Sequence, residues 1–123
     1  GLERICMFTQ QKKNVYDLLW NDDGIKYGEV FHQAEKEFSA YNFEHANTDN
    51  LFKMFDMLEL EAKALVEKKL SLPAYDQCLK ASHVFNILDA RGVISVAQRA
   101  GYIGKVRDIT KSVAEIWLSS QTE

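Results

Sequence analysis

Three histidines and two cysteines are the side chains of this sequence that are best suited to bind a metal or to act as nucleophiles. His32, His45 and His83 are widely separated, and no two of them have the four-residue spacing that places two ligands on one helix face. Cys6 and Cys78 form no Cys-x-x-Cys pair, so the sequence predicts no metal site. We interpret the histidines as surface or packing residues. His45 falls on the apolar face of a predicted helix and is a candidate core residue.

Carboxylates are plentiful, with Asp22 next to Asp23 and Glu35 close to Glu37. General acid–base catalysis needs a carboxyl group held at a defined distance from a partner, and the spacing of these acids predicts no such partner. The sequence also contains no nucleophile-elbow motif and no glycine-rich phosphate loop. We therefore expect these acids to lie on solvated helix faces.

Basic side chains are concentrated in the last third of the chain. Between Arg91 and Lys111 there are five basic residues against a single acid, although the whole chain has a net charge of −3. That overall charge argues against generic nucleic-acid binding through a strongly basic surface. Arg99, Arg107 and Lys111 remain candidates for a local surface that contacts RNA or a protein partner, and a solvated helix face is the alternative.

Long helices must position these groups, because one proline and six glycines among 123 residues give few breaks. Apolar residues recur at three- and four-residue steps, which predicts an opening helix up to about residue 11 and four long helices at about 28–46, 49–70, 73–90 and 96–119. Asn14 is a predicted N-cap, Gly92 a helix-ending glycine, and Ser95 with Gln98 a capping box. The predicted fold is an all-α bundle of about four long helices.

The periodicity also predicts which face each helix buries. On the second long helix, Glu59 and Lys63 are placed as an i,i+4 ion pair on the outward face. Gly101 and Gly104 are three residues apart in the fourth long helix. They would allow close approach of either a partner or a neighbouring helix of the same chain. The predicted apolar stripes of the first and third helices are Phe31, Ala34, Phe38, Tyr41 and His45, and Tyr75, Leu79, Ser82, Phe85 and Leu88.

Composition places the chain among ordinary globular proteins, with 46% hydrophobic and 27% charged residues. Its length fits one domain. No apolar run is long enough to span a bilayer, so we expect no membrane association. Cys78 lies among apolar residues and is expected to be a buried, reduced thiol, which suits a cytoplasmic protein.

Several segments are similar to the α subunit of bacterial heterotetrameric glycyl-tRNA synthetase, a class II enzyme. They occur in the expected order and cover nearly the whole chain. The matching blocks are NVYDL at 14–18, YGEVFHQ at 27–33, YNFEHA at 41–46, LPAYD at 72–76 and LKASHVFNILDARGVISV at 79–96. Ahead of them, GLER at 1–4 resembles the end of class II motif 3, a glycine-rich strand that runs into a helix and closes with Glu-Arg.

The resemblance implies an activity and a nucleotide-binding residue. Members of this family join glycine to tRNA(Gly) with ATP, through glycyl-adenylate and with release of AMP and pyrophosphate, usually with Mg²⁺. The motif 3 arginine of class II synthetases binds ATP, and by resemblance this catalytic and ATP-binding role falls to Arg4. A guanidinium group suits it, since it can stack and can hold phosphate oxygens. By the same resemblance Glu3 would lie at the ATP site and contribute to ATP binding, through positioning or metal contact.

The resemblance also implies partners and a division of the chain. The family assembles as two α and two β subunits, so the expected partners are a second α subunit, the β subunit, tRNA(Gly) and glycine. Residues 1–27 would contain the end of motif 3 and a connecting segment, and residues 28–123 a C-terminal helical domain. Motifs 1 and 2 and the antiparallel catalytic sheet are not in this sequence, so we expect these residues alone to be inactive. The alternative is a non-catalytic helical protein-interaction module.

Overall fold

A computed structural model describes residues 1–122. Its elements are, in order, α1 (Leu2–Thr9), a 3₁₀ turn (Val15–Asp17), α2 (Tyr27–Ala40), a π-helical turn (Tyr41–His45), α3 (Thr48–Glu67), α4 (Ser71–Ala90) and α5 (Val96–Gln121). No β-strand beyond an isolated bridge occurs among the described residues. The predicted all-α fold is confirmed. No helix of residues 1–122 combines the length and the apolar character needed to cross a membrane.

The chain divides into two compact units, Gly1–Tyr41 and Asn42–Glu123. In the first unit, the chain between α1 and α2 folds back on itself. Leu19 and Lys26 form an antiparallel bridge around a turn in which Gly24 has φ +85°, a conformation that glycine adopts without strain. The buried Leu18 accepts a backbone hydrogen bond from Tyr27 at 2.8 Å, which fixes the start of α2 against this hairpin.

The second unit is a bundle in which α4 packs against both α3 and α5. Two apolar clusters form its core, one around the fully buried Phe55 and Leu88 and the other around Ala62, Cys78 and Val113. Burial of each large apolar side chain contributes about 1.5–3 kcal/mol relative to exposure. This packing stabilises the unit.

Local signals in the sequence placed the helix ends well. Asn14 caps the 3₁₀ turn by accepting from the Tyr16 amide at 2.9 Å. Gly92 follows α4 with φ +69°, and the Ser95–Gln98 capping box is formed on both sides. These three predictions are confirmed because caps depend on residues next to each other in the chain.

The predicted buried faces of two helices are only partly right. The buried residues of α4 are Ala74, Cys78, Ala81, Val84, Phe85, Ile87 and Leu88, so the predictions for Phe85 and Leu88 are confirmed. Tyr75 and Leu79, which were predicted to share the core face, are 45% and 53% exposed. Small residues occupy the first half of the buried face, because α4 packs there between two neighbours and close helix contact favours small side chains over large ones.

The predicted stripe of the first long helix is wrong in its second half. Phe31 and Ala34 are partly buried, whereas Phe38 and Tyr41 are exposed. The helix does not continue to residue 46, because α2 ends at Ala40 and the π-helical turn follows. A π-helical turn contains more residues than an α-helical one, so the residues after it no longer follow the predicted periodicity. His45, expected on the apolar face, is exposed, while its neighbour Ala46 is buried.

Candidate functional site

The first candidate is Arg4, which lies in the first turn of α1. This helix begins at Leu2, with Gly1 at the N-cap position. Both Glu3 and Arg4 are exposed to solvent. A carboxylate oxygen of Glu3 accepts a hydrogen bond from the Tyr27 hydroxyl at 3.5 Å, which links α1 to the start of α2. No ion pair to the Arg4 guanidinium is found within residues 1–122.

A side-chain amide ties α1 to the hairpin. Gln10, at the end of α1, accepts from the Leu19 amide at 2.8 Å and donates to the Leu19 carbonyl at 3.2 Å, so both backbone groups of that residue are satisfied. Trp20 follows directly, and its own amide donates to the Ile25 carbonyl at 2.7 Å. These bonds fix the backbone of the hairpin at Leu19 and Trp20.

Aromatic residues gather around that indole. The Trp20 ring lies edge-on to Phe31 with centroids 5.2 Å apart, and Phe31 lies 4.8 Å from Tyr27. Tyr27, Phe31 and Glu35 are four residues apart on α2 and therefore share one helix face. Sequence analysis missed this set because it assigned Phe31 to a stripe with Phe38; the four-residue spacing from Tyr27 was the available signal.

These residues line a cavity of about 520 Å³, which we call the aromatic pocket. Its size falls within the range of small-molecule sites. It contains two carboxylates, Glu3 and Glu35, and none of its lining residues is basic. The lining residues are Leu2, Glu3, Cys6, Leu18, Leu19, Trp20, Tyr27, Phe31 and Glu35.

The charges around the aromatic pocket affect the pKa of Tyr27. Partial burial, followed by the charges of Glu3 and Glu35, raises the pKa of Tyr27 above its ordinary value. A tyrosine is protonated at neutral pH even without this shift, and the phenol of Tyr27 donates its hydrogen bond to Glu3.

The predicted basic surface on α5 is only partly free. The Arg99 side chain contacts both carboxylate oxygens of Asp89, at 3.2 and 3.3 Å, and so ties the start of α5 to the end of α4. Arg107 and Lys111 are exposed, one turn apart, and Lys111 makes only a long 4.0 Å contact with Glu115. Arg107 makes no ion pair with any residue that the structure describes.

A buried carboxylate is the strongest electrostatic feature of the second unit. The predicted Glu59–Lys63 pair is present, with Nζ 2.6 Å from Oε1, but Glu59 is buried rather than solvated. Lys105 of α5 approaches its other oxygen at 3.3 Å and lies over the rings of Phe55 and Tyr102. Burial alone would raise the pKa of Glu59; hydrogen bonds from the two lysines outweigh it and lower that pKa below the ordinary value.

Sequence analysis placed Glu59 on a charged outer face because its own helix shows only the i,i+4 partner. Lys105 is 46 positions further along the chain, and no periodicity within α3 indicates that it covers this carboxylate. The contact follows from the packing of α5 and had no local signal.

A groove between α3 and α4 exposes apolar side chains. We call it the methionine groove, a cavity of about 640 Å³ lined by Met54, Met57, Leu58, Glu61, Gln77, Leu79, Lys80, His83 and Val84. Met57 is 63% exposed and Leu79 is 53% exposed. Exposed apolar surface of this kind is typical of interaction sites.

The remaining titratable residues form no catalytic or metal-binding group in the described part of the chain. No cluster of three His, Cys, Asp or Glu side chains suitable for a metal occurs there. His32 packs edge-on against Tyr16 at 4.7 Å, as expected of a packing histidine, and His83 is exposed. Both cysteines are free thiols, and Cys78 is buried as predicted.

A family comparison adds to this geometry. The family model described as "Glycyl-tRNA synthetase alpha subunit" matches residues 1–122, which is nearly the whole chain. The match includes α1 with Arg4, the aromatic pocket and the helical bundle.

Proposed function

The chain belongs to the glycyl-tRNA synthetase alpha-subunit family, and from that premise we propose that it forms part of a glycine–tRNA ligase and supplies Arg4 to the ATP site. The observation that carries the proposal is the family match over residues 1–122, which includes the exposed Arg4 at the start of α1. In the reaction, glycine attacks the α-phosphate of ATP, and the glycyl group of the adenylate then passes to the terminal ribose of tRNA(Gly).

The role proposed for Arg4 is electrostatic. Adenylate formation needs the triphosphate to be held in line and its charge to be compensated, and a fixed guanidinium does both. Mg²⁺ would accompany ATP as its counter-ion. Glu3 accepts a hydrogen bond from Tyr27, and in this proposal it would orient the first turn of α1 beside the nucleotide. The motif 2 arginine and the glycine pocket are not assigned to residues 1–123, so these residues would contribute to the site without completing it.

The test is ATP–pyrophosphate exchange by the intact subunit. We expect Arg4→Ala to reduce exchange about 100-fold, since loss of a charged contact costs about 3 kcal/mol. Arg4→Lys should recover only part of the rate, because an ammonium group cannot bind two phosphate oxygens in a plane. Lys13→Ala, which removes an exposed cation from the same unit, is the matched control. Exchange by Arg4→Ala at the rate of the control would refute the assignment.

We further propose that the second unit serves assembly with the β subunit and the second α subunit. The methionine groove supports this role, because exposed apolar surface is the mark of an interaction module. Met57→Glu would place a charge in the groove, and Lys53→Glu, on the same helix, is the control. Loss of subunit association in sedimentation, with helical content unchanged, is expected for Met57→Glu only.

The basic residues of α5 are a second surface to test, for tRNA(Gly) or the β subunit. Arg107→Glu combined with Lys111→Glu reverses charge at exposed positions, whereas Arg99 is held by Asp89 and serves as a structural comparison. Unchanged aminoacylation and unchanged association would remove this surface from the proposal. The two free thiols accord with our placing the enzyme in the cytoplasm.

A further inference from the structure

We propose that the aromatic pocket of the first unit binds an organic cation, namely an ammonium or guanidinium group carried on an apolar body. This ligand is distinct from the ATP, glycine and tRNA of the proposed function. The proposal rests on the combination of aromatic faces and carboxylates in one cavity.

The aromatic side of the pocket is suited to a cation. Trp20, Tyr27 and Phe31 have ring centroids between 4.8 and 6.3 Å from one another, so a group in the cavity can contact more than one ring. Aromatic rings attract a cation within about 6 Å through the negative charge of their faces, and Trp does so most strongly. The rings differ in orientation by 39–72°, so they do not stack in parallel, and all three line the same cavity.

The charged side of the pocket selects the same kind of ligand. Glu3 and Glu35 enter the cavity from two helices, and no Lys or Arg is among its lining residues. Neither carboxylate belongs to an ion pair within residues 1–122. Two negative charges in one cavity favour a positive ligand. Leu18 and Leu19 complete an apolar wall, which explains the requirement for an apolar body.

The pocket is larger than a single ammonium group. At about 520 Å³ it can hold a choline-sized molecule or the complete side chain of a lysine or arginine. The same chemistry can therefore come from two sources, a free organic cation or a cationic side chain of a partner subunit. Glycine has an ammonium group but no apolar body, so it should bind this pocket poorly.

Trp20 gives a direct readout. When 5-fluorotryptophan is incorporated into the intact protein, ¹⁹F NMR gives one signal for Trp20 and one for Trp117. The Trp20→Phe variant identifies the Trp20 signal. Trp117 lies in the other unit and is the internal control. We expect choline to shift the Trp20 signal saturably, and its neutral isostere 3,3-dimethylbutan-1-ol to bind at least about fivefold more weakly. Equal responses to the two compounds, or no Trp20 response, would overturn the proposal.

Two further measurements address the carboxylates. Glu35→Gln should weaken choline binding about fivefold or more, whereas Glu37→Gln, a glutamate on the same helix outside the pocket, should change it less than twofold. Raising the ionic strength should weaken binding to the unaltered protein. An affinity that is the same in Glu35→Gln and insensitive to salt contradicts the role of charge.

The assembled enzyme distinguishes the two sources of the cation. A Trp20 signal that still responds to choline in the α–β complex indicates a free ligand, and a signal already shifted and unresponsive indicates a partner's side chain. Pyrophosphate exchange by Arg4→Ala is measured separately, so failure of the ATP-site proposal and failure of the cation proposal are distinguishable.

Discussion

Replacing Glu59 tests the electrostatic account of the bundle most directly. The Glu59 side chain is only 10% exposed, while those of Lys63 and Lys105 are 58% and 46% exposed. In Glu59→Gln the two lysines can turn to water, so no buried unpaired charge is created. What is lost is the pair of charge-assisted hydrogen bonds, at 2.6 and 3.3 Å. We expect the free energy of unfolding to fall by about 1–2 kcal/mol.

Lys105→Met separates the contribution of α5 from that of α3. Methionine retains the apolar contact with Phe55 and Tyr102 but removes the cation, and Lys63 remains to satisfy the carboxylate. We expect this variant to lose about 1 kcal/mol of the free energy of unfolding, less than Glu59→Gln. Because Glu59 and Lys105 are in contact, the double variant with both substitutions should lose less than the sum of the two single losses, with a coupling of about 0.5–1 kcal/mol.

The pH dependence of the free energy of unfolding independently tests whether the pKa of Glu59 is lowered by folding. The pKa of Glu59 is lower in the folded than in the unfolded chain. Its stabilisation is therefore fully present above the unfolded pKa and is lost as the pH falls through the folded value. The difference between the unaltered protein and Glu59→Gln should be constant near neutral pH and shrink below about pH 4.5.

Urea denaturation followed by circular dichroism measures these free energies. Lys80→Met is the matched control, since Lys80 pairs with Asp76 at 2.9 Å but both side chains are more than half exposed. Lys80→Met should lower the free energy of unfolding by less than about 0.5 kcal/mol. If Glu59→Gln is no more destabilising than Lys80→Met, or if its effect does not change with pH, the argument that burial makes this carboxylate important is wrong.

Two further outcomes are expected. Gly101→Ala and Gly104→Ala should each raise the free energy of unfolding, measured by urea denaturation, by about 0.5–1 kcal/mol. A methyl group at either position meets no atom within 4 Å, and alanine favours a helix. Loss of subunit association in the double variant would instead show that a partner uses these glycines. Cys6 should react with a thiol reagent at least about tenfold faster than Cys78, since burial raises the pKa of the Cys78 thiol and hides it; equal rates in the folded protein would contradict the packing of α4.

Local features of the fold were predictable from the sequence, whereas the faces of the helices were less so. The capping box at Ser95 and the glycine at 92 depend on residues within a few positions of each other, and both predictions are confirmed. The π-helical turn at 41–45 has no comparable local signal, and it rotates His45 out of the predicted stripe. The assignment of ATP binding to Arg4 came from resemblance, since the physical chemistry of one exposed arginine does not specify a ligand.

Features that depend on contacts between distant parts of the chain could not be fully predicted from the sequence. On α4, hydrophobicity favoured Tyr75 and Leu79, but in the first half of that helix the buried positions belong to small residues such as Ala74 and Ala81, because two neighbouring helices approach there. The aromatic pocket also depends on contacts between α1, the hairpin and α2. Such sites could be predicted only in part, as a four-residue spacing on one helix.

The position of the Glu59 cluster indicates why a charged group lies in this bundle at all. On α3, Glu59 falls between Phe55 of one apolar cluster and Ala62 of the other, and on α5 Lys105 falls between Tyr102 and Ile109 in the same way. An apolar pair in its place would be as stable or more so, because burying charges costs desolvation energy. A shift of α5 along α3 by one turn would move Lys105 away and leave Glu59 with Lys63 alone. We therefore expect the cluster to favour the register of α5 in which both lysines reach the carboxylate.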